Sequence, residues 1–443
     1  MDSEVVKYLA KYQIKGHELV WNRNNRISSA VVIPAIKEYY NIRELLKSLI
    51  EADPACFTNT LFIFVINNIP SSDNNIKEDN LISIKFLKSI VNKFSTDELV
   101  NQVIESDLNV GYIDASTPGK ELSEKEGGVG LARKTGMDEA LKIFNYEENS
   151  PKLLICLDAD CTVDRNYLSE IHSVFSNKEV KAASINFEHI INGNEEEYRA
   201  ITCYEIFLRY YVLGLRYADS YYAFHTIGSS MACDYSAYIK SEGMNKKKAA
   251  EDFYFLEKIS KNTRIYNINK TTVYPSGRKS WRVPFGTGQR ITRFHAGTHD
   301  EYSLYNPDSF EILKEWLHLF HTDNIMSPSQ YIYHAGIINK GLVDFLNLQN
   351  FETSVEKIIR SSKSDDQIRK QKLGWFDGFR TLKLIHFLRD NGLENIFMAD
   401  ALDILLRKLN IPSPQRSGEC VPEQKTLFQY LNRLRILDKE ELI

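Results

Sequence analysis

The sequence contains no long hydrophobic run, and this is the first constraint on what the protein can be. Its apolar stretches at residues 61–66 and 153–157 are far shorter than the ~20 residues that a membrane-spanning helix needs. The first ten residues carry Asp2 and Glu4 and lack the apolar segment of a secretory signal. We therefore expect no transmembrane segment and a cytoplasmic location.

An excess of positive charge and patterned cysteines are also missing. The 55 Lys and Arg residues against 59 Asp and Glu give a net charge of −4, whereas a dedicated nucleic-acid binder normally carries a basic face. We expect no nucleic-acid partner. The cysteines are scattered, without the spacing of a zinc site or a disulfide framework. They are Cys56, Cys156, Cys161, Cys203, Cys233 and Cys420.

What the sequence does contain is enough apolar material to fold. With 443 residues, 43% of them hydrophobic, the chain can form one large domain and a smaller one. From residue 28 onward, apolar runs alternate with segments of helical periodicity, which indicates an α/β fold with a Rossmann-like, mostly parallel central sheet flanked by helices. Strands are predicted at residues 30–33, 61–66, 102–105, 152–157 and 181–187, and helices at 41–50, 84–94, 130–144, 167–175 and 196–217.

Beyond about residue 300 the apolar pattern is helical only. We therefore predict a helical N-terminal extension (1–27), an α/β domain (28–300) and a helical C-terminal region (301–443). The polar residues 71–80 are expected to form a loop before the charged helix near 84–94. The role of the C-terminal region and the oligomeric state stay open.

The sequence Asp158-Ala159-Asp160 follows the predicted strand at 152–157 directly. Parallel α/β sheets bind ligands at the carboxyl ends of their strands. Two carboxylates at such an edge suit Mg²⁺ or Mn²⁺, with substrate phosphates completing the coordination. The alternative is that both are solvated loop acids.

A second segment, Gly130-Leu-Ala-Arg133-Lys134-Thr-Gly136, opens the helix before that strand. A helix N-terminus with nearby cations is a natural anion site, so Arg133 and Lys134 are candidates for a diphosphate; a solvent-exposed basic turn is the alternative. The segment lacks the third glycine of a dinucleotide fingerprint and follows the third strand, which argues against a nicotinamide enzyme.

Two further acids occupy helix starts. Glu38 follows Val32-Ile33-Pro34-Ala35 and is expected at the same sheet edge as Asp158, where it could bind ribose hydroxyls or base N–H groups. Asp252, in Ala250-Glu251-Asp252, could accept a hydroxyl proton as a general base. Each could equally be an acid favoured at a helix start.

The order of these motifs resembles the GT-A glycosyltransferases, family 2 type, over about residues 28–290. The resemblance rests on VVIPAIKEYYNIRELLKSL, GLARKTGMDEAL, LDADCTV, GSSMACDYSAY and AEDFYFLEKI. It implies a nucleotide-diphospho-sugar donor, a divalent cation (Mg²⁺ or Mn²⁺) and an acceptor hydroxyl. It also implies that one displacement inverts the anomeric carbon.

The resemblance also implies residue roles. Asp252 would be the catalytic base, and Asp158 and Asp160 would hold the metal, with His295 or His299 completing its shell. The residues implied to bind the nucleotide-sugar are Pro34, Ala35, Glu38, Asn67, Arg133, Asp158, Ala159, Gly228, Ser229, Glu251, Arg278 and Arg282. Arg278 and Arg282 could grip the leaving diphosphate or an anionic acceptor, or lie in a basic surface loop. His225 is a further candidate on the acceptor side.

The sequence departs from the family pattern in three places. Lys37 replaces the usual Asn before the first-loop Glu, and Asn67-Asn68 replaces a base-reading Asp. The Q-x-x-R-W element of processive synthases is missing, which favours transfer of one sugar. Two alternatives remain: a sugar-phosphate nucleotidyltransferase, whose Gly-rich loop should follow the first strand whereas Gly286-Thr-Gly288 lies far later, and a non-catalytic nucleotide-sugar-binding module.

Overall fold

The structure is a computed structural model that describes residues 2–22, 26–191, 194–278, 292–294, 300–322, 324–415 and 423–440. The chain forms two compact units, each assembled from two segments. The first unit comprises Met1–Asn192 and Thr226–Gln289, and the second comprises Gly193–His225 and Arg290–Ile443. The three-part division predicted above, with a boundary near residue 300, stays a prediction.

The helices and strands alternate in the first half of the chain. The described strands are β1 (Leu19–Trp21), β2 (Ser29–Ala35), β3 (Thr60–Asn67), β4 (Val110–Ala115), β5 (Leu153–Cys156), β6 (Thr162–Val163), β7 (Ala182–Phe187), β8 (Met231–Asp234), β9 (Ile265–Tyr274), β10 (Ser303–Leu304) and β11 (Ile396–Phe397). The described helices are α1 (Ser3–Tyr12), α2 (Tyr39–Ile50), α3 (Asn74–Val91), α4 (Glu98–Glu105), α5 (Val129–Ala140), α6 (Tyr167–Phe175), α7 (Glu195–Tyr217), α8 (Tyr235–Lys240), α9 (Glu251–Ser260), α10 (Pro307–Phe320), α11 (Pro328–Ile338), α12 (Lys340–Leu348), α13 (Phe351–Ser361), α14 (Asp365–Trp375), α15 (Gly378–Asp390), α16 (Met398–Lys408) and α17 (Gln424–Glu440).

The first unit is built on a nine-stranded sheet in the order β1-β4-β3-β2-β5-β8-β7-β9-β6. Strands β4, β3, β2 and β5 run parallel to one another. Strand β8 is antiparallel to both of its neighbours, and β1 and β6 are antiparallel edge strands. The expected mixed α/β fold with a mostly parallel sheet flanked by helices is confirmed.

The central strands are buried because helices cover both faces of the sheet. Every residue of β2, β3 and β5 is buried, which explains why their sequences are apolar without alternation. Strand β2 extends two residues beyond the predicted end at residue 33, since Pro34 and Ala35 still pair with Val65 and Ile66 of β3.

Two predictions for the segment between β3 and β5 are wrong. Residues 102–105 belong to helix α4, because the Asp97 side chain caps it by accepting hydrogen bonds from the N–H groups of Leu99 and Val100. The strand predicted at residues 102–105 lies instead at β4, Val110–Ala115. The loop expected at residues 71–80 is also shorter, since α3 begins at Asn74 and buries Ile76 and Asn80.

The N-terminal helix α1 is anchored by a buried polar network. The hydroxyl groups of Tyr8 and Tyr238 donate to Oδ1 of Asp138, over 2.9 and 2.8 Å. Lys134 Nζ donates to the Tyr8 hydroxyl over 2.7 Å. This network ties α1 and α8 to α5.

The second unit has an aromatic core. Trp316 stacks on Phe320 with ring centroids 4.9 Å apart, and Tyr331, Phe351 and Phe376 pack edge-on against Trp316. These rings come from α10, α11, α13 and the segment after α14. Aromatic burial of this kind supplies much of the driving force for packing helices.

A buried charged cluster joins α7 to α17 within the second unit. Arg209 donates to Glu205 over 2.8 Å and to Asp438 over 2.5 Å. Arg435 binds Glu205 through two hydrogen bonds. His225 lies 2.9 Å from Asp438, so the structure places this acceptor-side candidate in the second unit, paired with a carboxylate.

No helix among the described residues is long and apolar enough to cross a membrane. This agrees with the short apolar runs in the sequence.

The close packing of α5 on the sheet predicts a stability effect at Gly136. A Cβ at Gly136 would lie 2.4 Å from Val32 Cγ1 and 2.9 Å from Val65 Cγ2, whereas a Cβ at Gly374 in α14 would meet nothing within 4 Å. We expect Gly136→Val to lower the free energy of unfolding by about 2 kcal/mol or more through overpacking. Gly374→Val should change it by less than about 0.5 kcal/mol. Urea unfolding measures both, and equal midpoints for the two variants would contradict the packing described for α5.

Candidate functional site

The strand order identifies one edge of the sheet as the site. From β2 the chain proceeds to β3 and β4 on one side and then returns to β5 on the other side. Open α/β sheets bind ligands at this reversal, outside the carboxyl ends of the strands. Glu38 follows β2 and Asp158 and Asp160 follow β5, so the predicted first-loop acid and the predicted acid pair flank the same crevice.

Arg133 in the first turns of α5 connects two of the predicted acids. Its Nη2 donates to Asp158 Oδ1 over 2.5 Å, and its Nη1 donates to Glu251 Oε1. Arg133 is only 1% exposed. Although burial opposes the charged form, Asp158 and Glu251 raise the pKa of Arg133, so it remains a cation.

Gly228 permits this arrangement because it lies directly against the Arg133 guanidinium. A Cβ at Gly228 would approach Nη2 of Arg133 at 2.7 Å and Nη1 at 2.8 Å. Any side chain there would displace the guanidinium from its carboxylates. Gly228 therefore positions Arg133, and direct contact of either residue with a nucleotide stays a prediction.

Glu251 and Asp252 begin helix α9 beside this ion pair. Burial and the neighbouring Glu251 carboxylate raise the pKa of Asp252 to about 7. Burial also raises the pKa of Glu251, against the effect of Arg133. Asp252 is partly exposed, and its Oδ1 accepts a hydrogen bond from the Phe253 N–H over 2.7 Å. A carboxylate with a pKa near neutrality is suited to accept a proton at physiological pH.

Arg278 binds the other two acids. It lies four residues after the end of β9, and its Nε donates to Asp160 Oδ2 over 2.9 Å. Its Nη2 lies 2.8 Å from the same Asp160 oxygen and also donates to Glu38 Oε1. Glu38 is 2% exposed, and its other oxygen accepts a hydrogen bond from Asn41 Nδ2.

The loop that carries Glu38 is held in an unusual backbone conformation. Lys37 has φ = +56°, which Asn adopts more readily than Lys. The Lys37 N–H donates to Asn80 Oδ1 over 2.9 Å, and Asn80 Nδ2 also donates to Asn67 O and to Asn68 Oδ1. Asn80 thus helps to hold the backbone at Lys37 in this conformation. Sequence analysis missed Asn80 because it assigned residues 71–80 to a loop, and the burial of this amide is visible only in the structure.

Other predicted site residues lie near the same edge of the sheet, and their side chains are buried. Pro34 and Ala35 form the end of β2, Ala159 is 2% exposed, and Ser229 is 2% exposed. Asn67 Nδ2 donates to the backbone oxygens of Ala35 and Val65. Its role in reading a base stays a prediction.

Lys134 does not belong to the site, contrary to the interpretation of the GLARKTG segment. Its ammonium group binds Tyr8 and Asp138 at the other side of α5. The Lys134 side chain is buried with these partners, whereas Arg133 contacts Asp158 and Glu251. Arg282, His295 and His299 lie outside the described residues.

The donor set fits a hard divalent cation in type, and its coordination would need oxygens from the substrate. Asp158 and Asp160 are partly exposed, at 35% and 23% of their side chains. Within the described ranges, no group of three or more His, Cys, Asp or Glu side chains converges on one point. Arg278 already places a positive group beside Asp160.

The buried Arg133 ion pairs predict a large stability effect. Arg133→Gln should lower the free energy of unfolding by about 3–5 kcal/mol, because it leaves Asp158 and Glu251 without their cation. The control is Arg165→Gln, since Arg165 pairs with Glu51 over 3.4 Å with both side chains mostly exposed. That variant should change stability by less than about 0.5 kcal/mol. A similar small loss in both variants, measured by urea unfolding, would refute a structural role for Arg133.

No protein-family model and no curated protein matches the chain. Similar solved structures include Staphylococcus aureus TarS residues 1–349 with UDP, at 13% identity and a TM-score of 0.37 over 79% of this chain and 89% of that one. Also similar is the mannosyltransferase PcManGT from Pyrobaculum calidifontis with GDP-Man and Mn²⁺, at 12% identity and a TM-score of 0.36 over 98% and 92%.

Proposed function

We propose that the protein is a metal-dependent, inverting glycosyltransferase that moves a single sugar from a nucleotide-diphospho-sugar to an acceptor hydroxyl. The observation that carries the proposal is the pairing of acids at the ends of β2 and β5: Arg278 joins Glu38 to Asp160, and Arg133 joins Asp158 to Glu251, the neighbour of Asp252. A cluster of acids held by two arginines at a sheet reversal suits a phosphate-rich ligand accompanied by a cation.

The proposed cation site consists of Asp160 with Asp158 beside it. Mg²⁺ or Mn²⁺ bound there would neutralise charge on the departing diphosphate. Of the two acids, Asp160 is the better ligand, because Asp158 is already paired with the buried Arg133. His295 and His299 stay proposals as further ligands.

In the proposed displacement, Asp252 accepts the proton of the acceptor hydroxyl. The acceptor oxygen forms a bond to the anomeric carbon while the bond from that carbon to the diphosphate oxygen breaks. Glu251 and Arg133 do not react; they keep Asp252 close to Asp158 and set its pKa. Asp252 is free to act because its described hydrogen bond is to backbone, through one carboxylate oxygen.

Asp160→Asn tests the proposed function. With Mn²⁺ present, the wild type should hydrolyse or transfer sugar from one of the UDP-, GDP-, dTDP- or CMP-sugars. Loss of the metal carboxylate should reduce turnover by about 100-fold or more, since metal stabilisation of the leaving group is worth several kcal/mol. The matched control is Asp107→Asn, at an exposed left-handed turn that Asn also accepts. Equal turnover in both variants would refute the metal role, and pyrophosphate release from a nucleoside triphosphate would instead indicate a nucleotidyltransferase.

The pH dependence tests the proposed base. Asp252 acts as a base only when deprotonated, so kcat/KM should fall as pH drops through about 7. Glu251→Gln removes a negative charge beside Asp252. It also leaves the positive charge of Arg133 less neutralised, and both effects lower the pKa of Asp252. The acidic limb should therefore move to lower pH in Glu251→Gln and stay in place in the exposed control Glu51→Gln. An acidic limb that is identical in all three proteins would contradict the assignment of Asp252.

A further inference from the structure

The two arginines of the site differ in how firmly they are held. Arg133 has 2% of its side chain exposed, whereas Arg278 has 34% exposed. A partly exposed ion pair gains little over hydration, so its partners can exchange at low cost. A fully buried pair cannot be opened without leaving desolvated charges behind. The contact of Arg278 with the partly exposed Asp160 is therefore the exchangeable one, whereas its contact with the buried Glu38 is not.

The backbone that delivers Arg278 is fixed just before it. The Tyr274 hydroxyl donates to Asp164 Oδ1 over 2.9 Å, and the Ile190 N–H donates to Pro275 O over 3.0 Å. The Arg278 N–H donates to Ser276 Oγ over 3.3 Å. These bonds hold the start of this segment against the residues that follow β6 and β7, so the guanidinium can leave Asp160 while its backbone stays close.

The guanidinium occupies a carboxylate oxygen of Asp160 that a metal could use. Both Nε and Nη2 of Arg278 contact Oδ2 of Asp160, and Nη2 also contacts Glu38. A divalent cation binds a carboxylate oxygen at 2.0–2.2 Å as a general rule. Two positive groups cannot share Oδ2 at those distances without strong mutual repulsion.

We propose that Arg278 is a built-in competitor of the divalent cation for Asp160, bound to that carboxylate until a nucleotide diphosphate brings the cation in. This inference rests on the proposed function. The incoming diphosphate offers new acceptors to the displaced guanidinium, for which a planar fork is well suited. Cation and nucleotide then bind cooperatively, because each needs the same displacement of Arg278. Arg278 is in this role a positioning residue that sets the order of binding.

Mn²⁺ binding measured without nucleotide tests the competition. Electron paramagnetic resonance titration should show weak binding to the wild type and binding about tenfold tighter to Arg278→Gln, because a competing charge has been removed. Arg278→Lys keeps the positive charge but not the planar guanidinium, so its affinity for Mn²⁺ should lie between those of the wild type and Arg278→Gln. Arg360→Gln, at an exposed arginine of helix α13 in the second unit, should behave like the wild type. Circular dichroism confirms that each variant is folded.

A double variant shows whether the tighter Mn²⁺ binding of Arg278→Gln depends on Asp160. Arg278→Gln combined with Asp160→Asn should lose the tighter Mn²⁺ binding altogether. With UDP or GDP present, the wild type should gain Mn²⁺ affinity strongly and Arg278→Gln much less. Equal affinity of the wild type and Arg278→Gln for Mn²⁺ alone, beside a normal gain with nucleotide, would overturn the competition and leave the proposed function standing. No Mn²⁺ binding by any protein, with or without nucleotide, would overturn both.

Discussion

The site depends on one interaction, the burial of the Arg133 guanidinium between Asp158 and Glu251. A charge that is almost completely removed from water must be compensated where it lies. Arg133 therefore fixes the end of β5 and the start of α9 at a set separation from α5. Asp252 follows Glu251 directly, so the position of the proposed base is determined by the same pair of contacts.

The second arginine serves a different purpose because it is reached by water. Arg278 neutralises Glu38 and Asp160 without enclosing them. The crevice thus combines a permanent internal cation, which shapes it, with an exposed one, which balances its charge in the absence of ligand. Without both arginines, the carboxylates of Glu38, Asp158, Asp160 and Glu251 would repel one another strongly.

Sequence patterns predicted the parts of this structure that local physics decides. Strands β2, β3 and β5 were predictable because strands covered on both faces are continuously apolar. Strand β4 was not, because its Val110–Ala115 segment contains Gly111 and Asp114 and gives a weak apolar signal, while α4 offered a short apolar run. The acids at the strand ends were predictable from parallel-sheet geometry.

The pairing of these acids was beyond sequence reasoning. Arg133 and Glu251 are 118 residues apart, and Arg278 and Glu38 are 240 apart. Nothing in a local motif says which arginine meets which carboxylate, because that choice depends on packing between distant segments. For the same reason the inward turn of Lys134 toward Tyr8 could not be read from GLARKTG.

The charged cluster of the second unit has a consequence for how the chain is made. Arg209 on α7 is compensated by Glu205 in the same helix and by Asp438, which lies 229 residues further along than Arg209. A ribosome synthesises α7 long before it reaches α17, so this buried charged cluster cannot be completed until Asp438 has emerged. Maturation of that unit is thereby a late event in translation, whereas the parallel strands β2, β3, β4 and β5 are all available within the first third or so of synthesis.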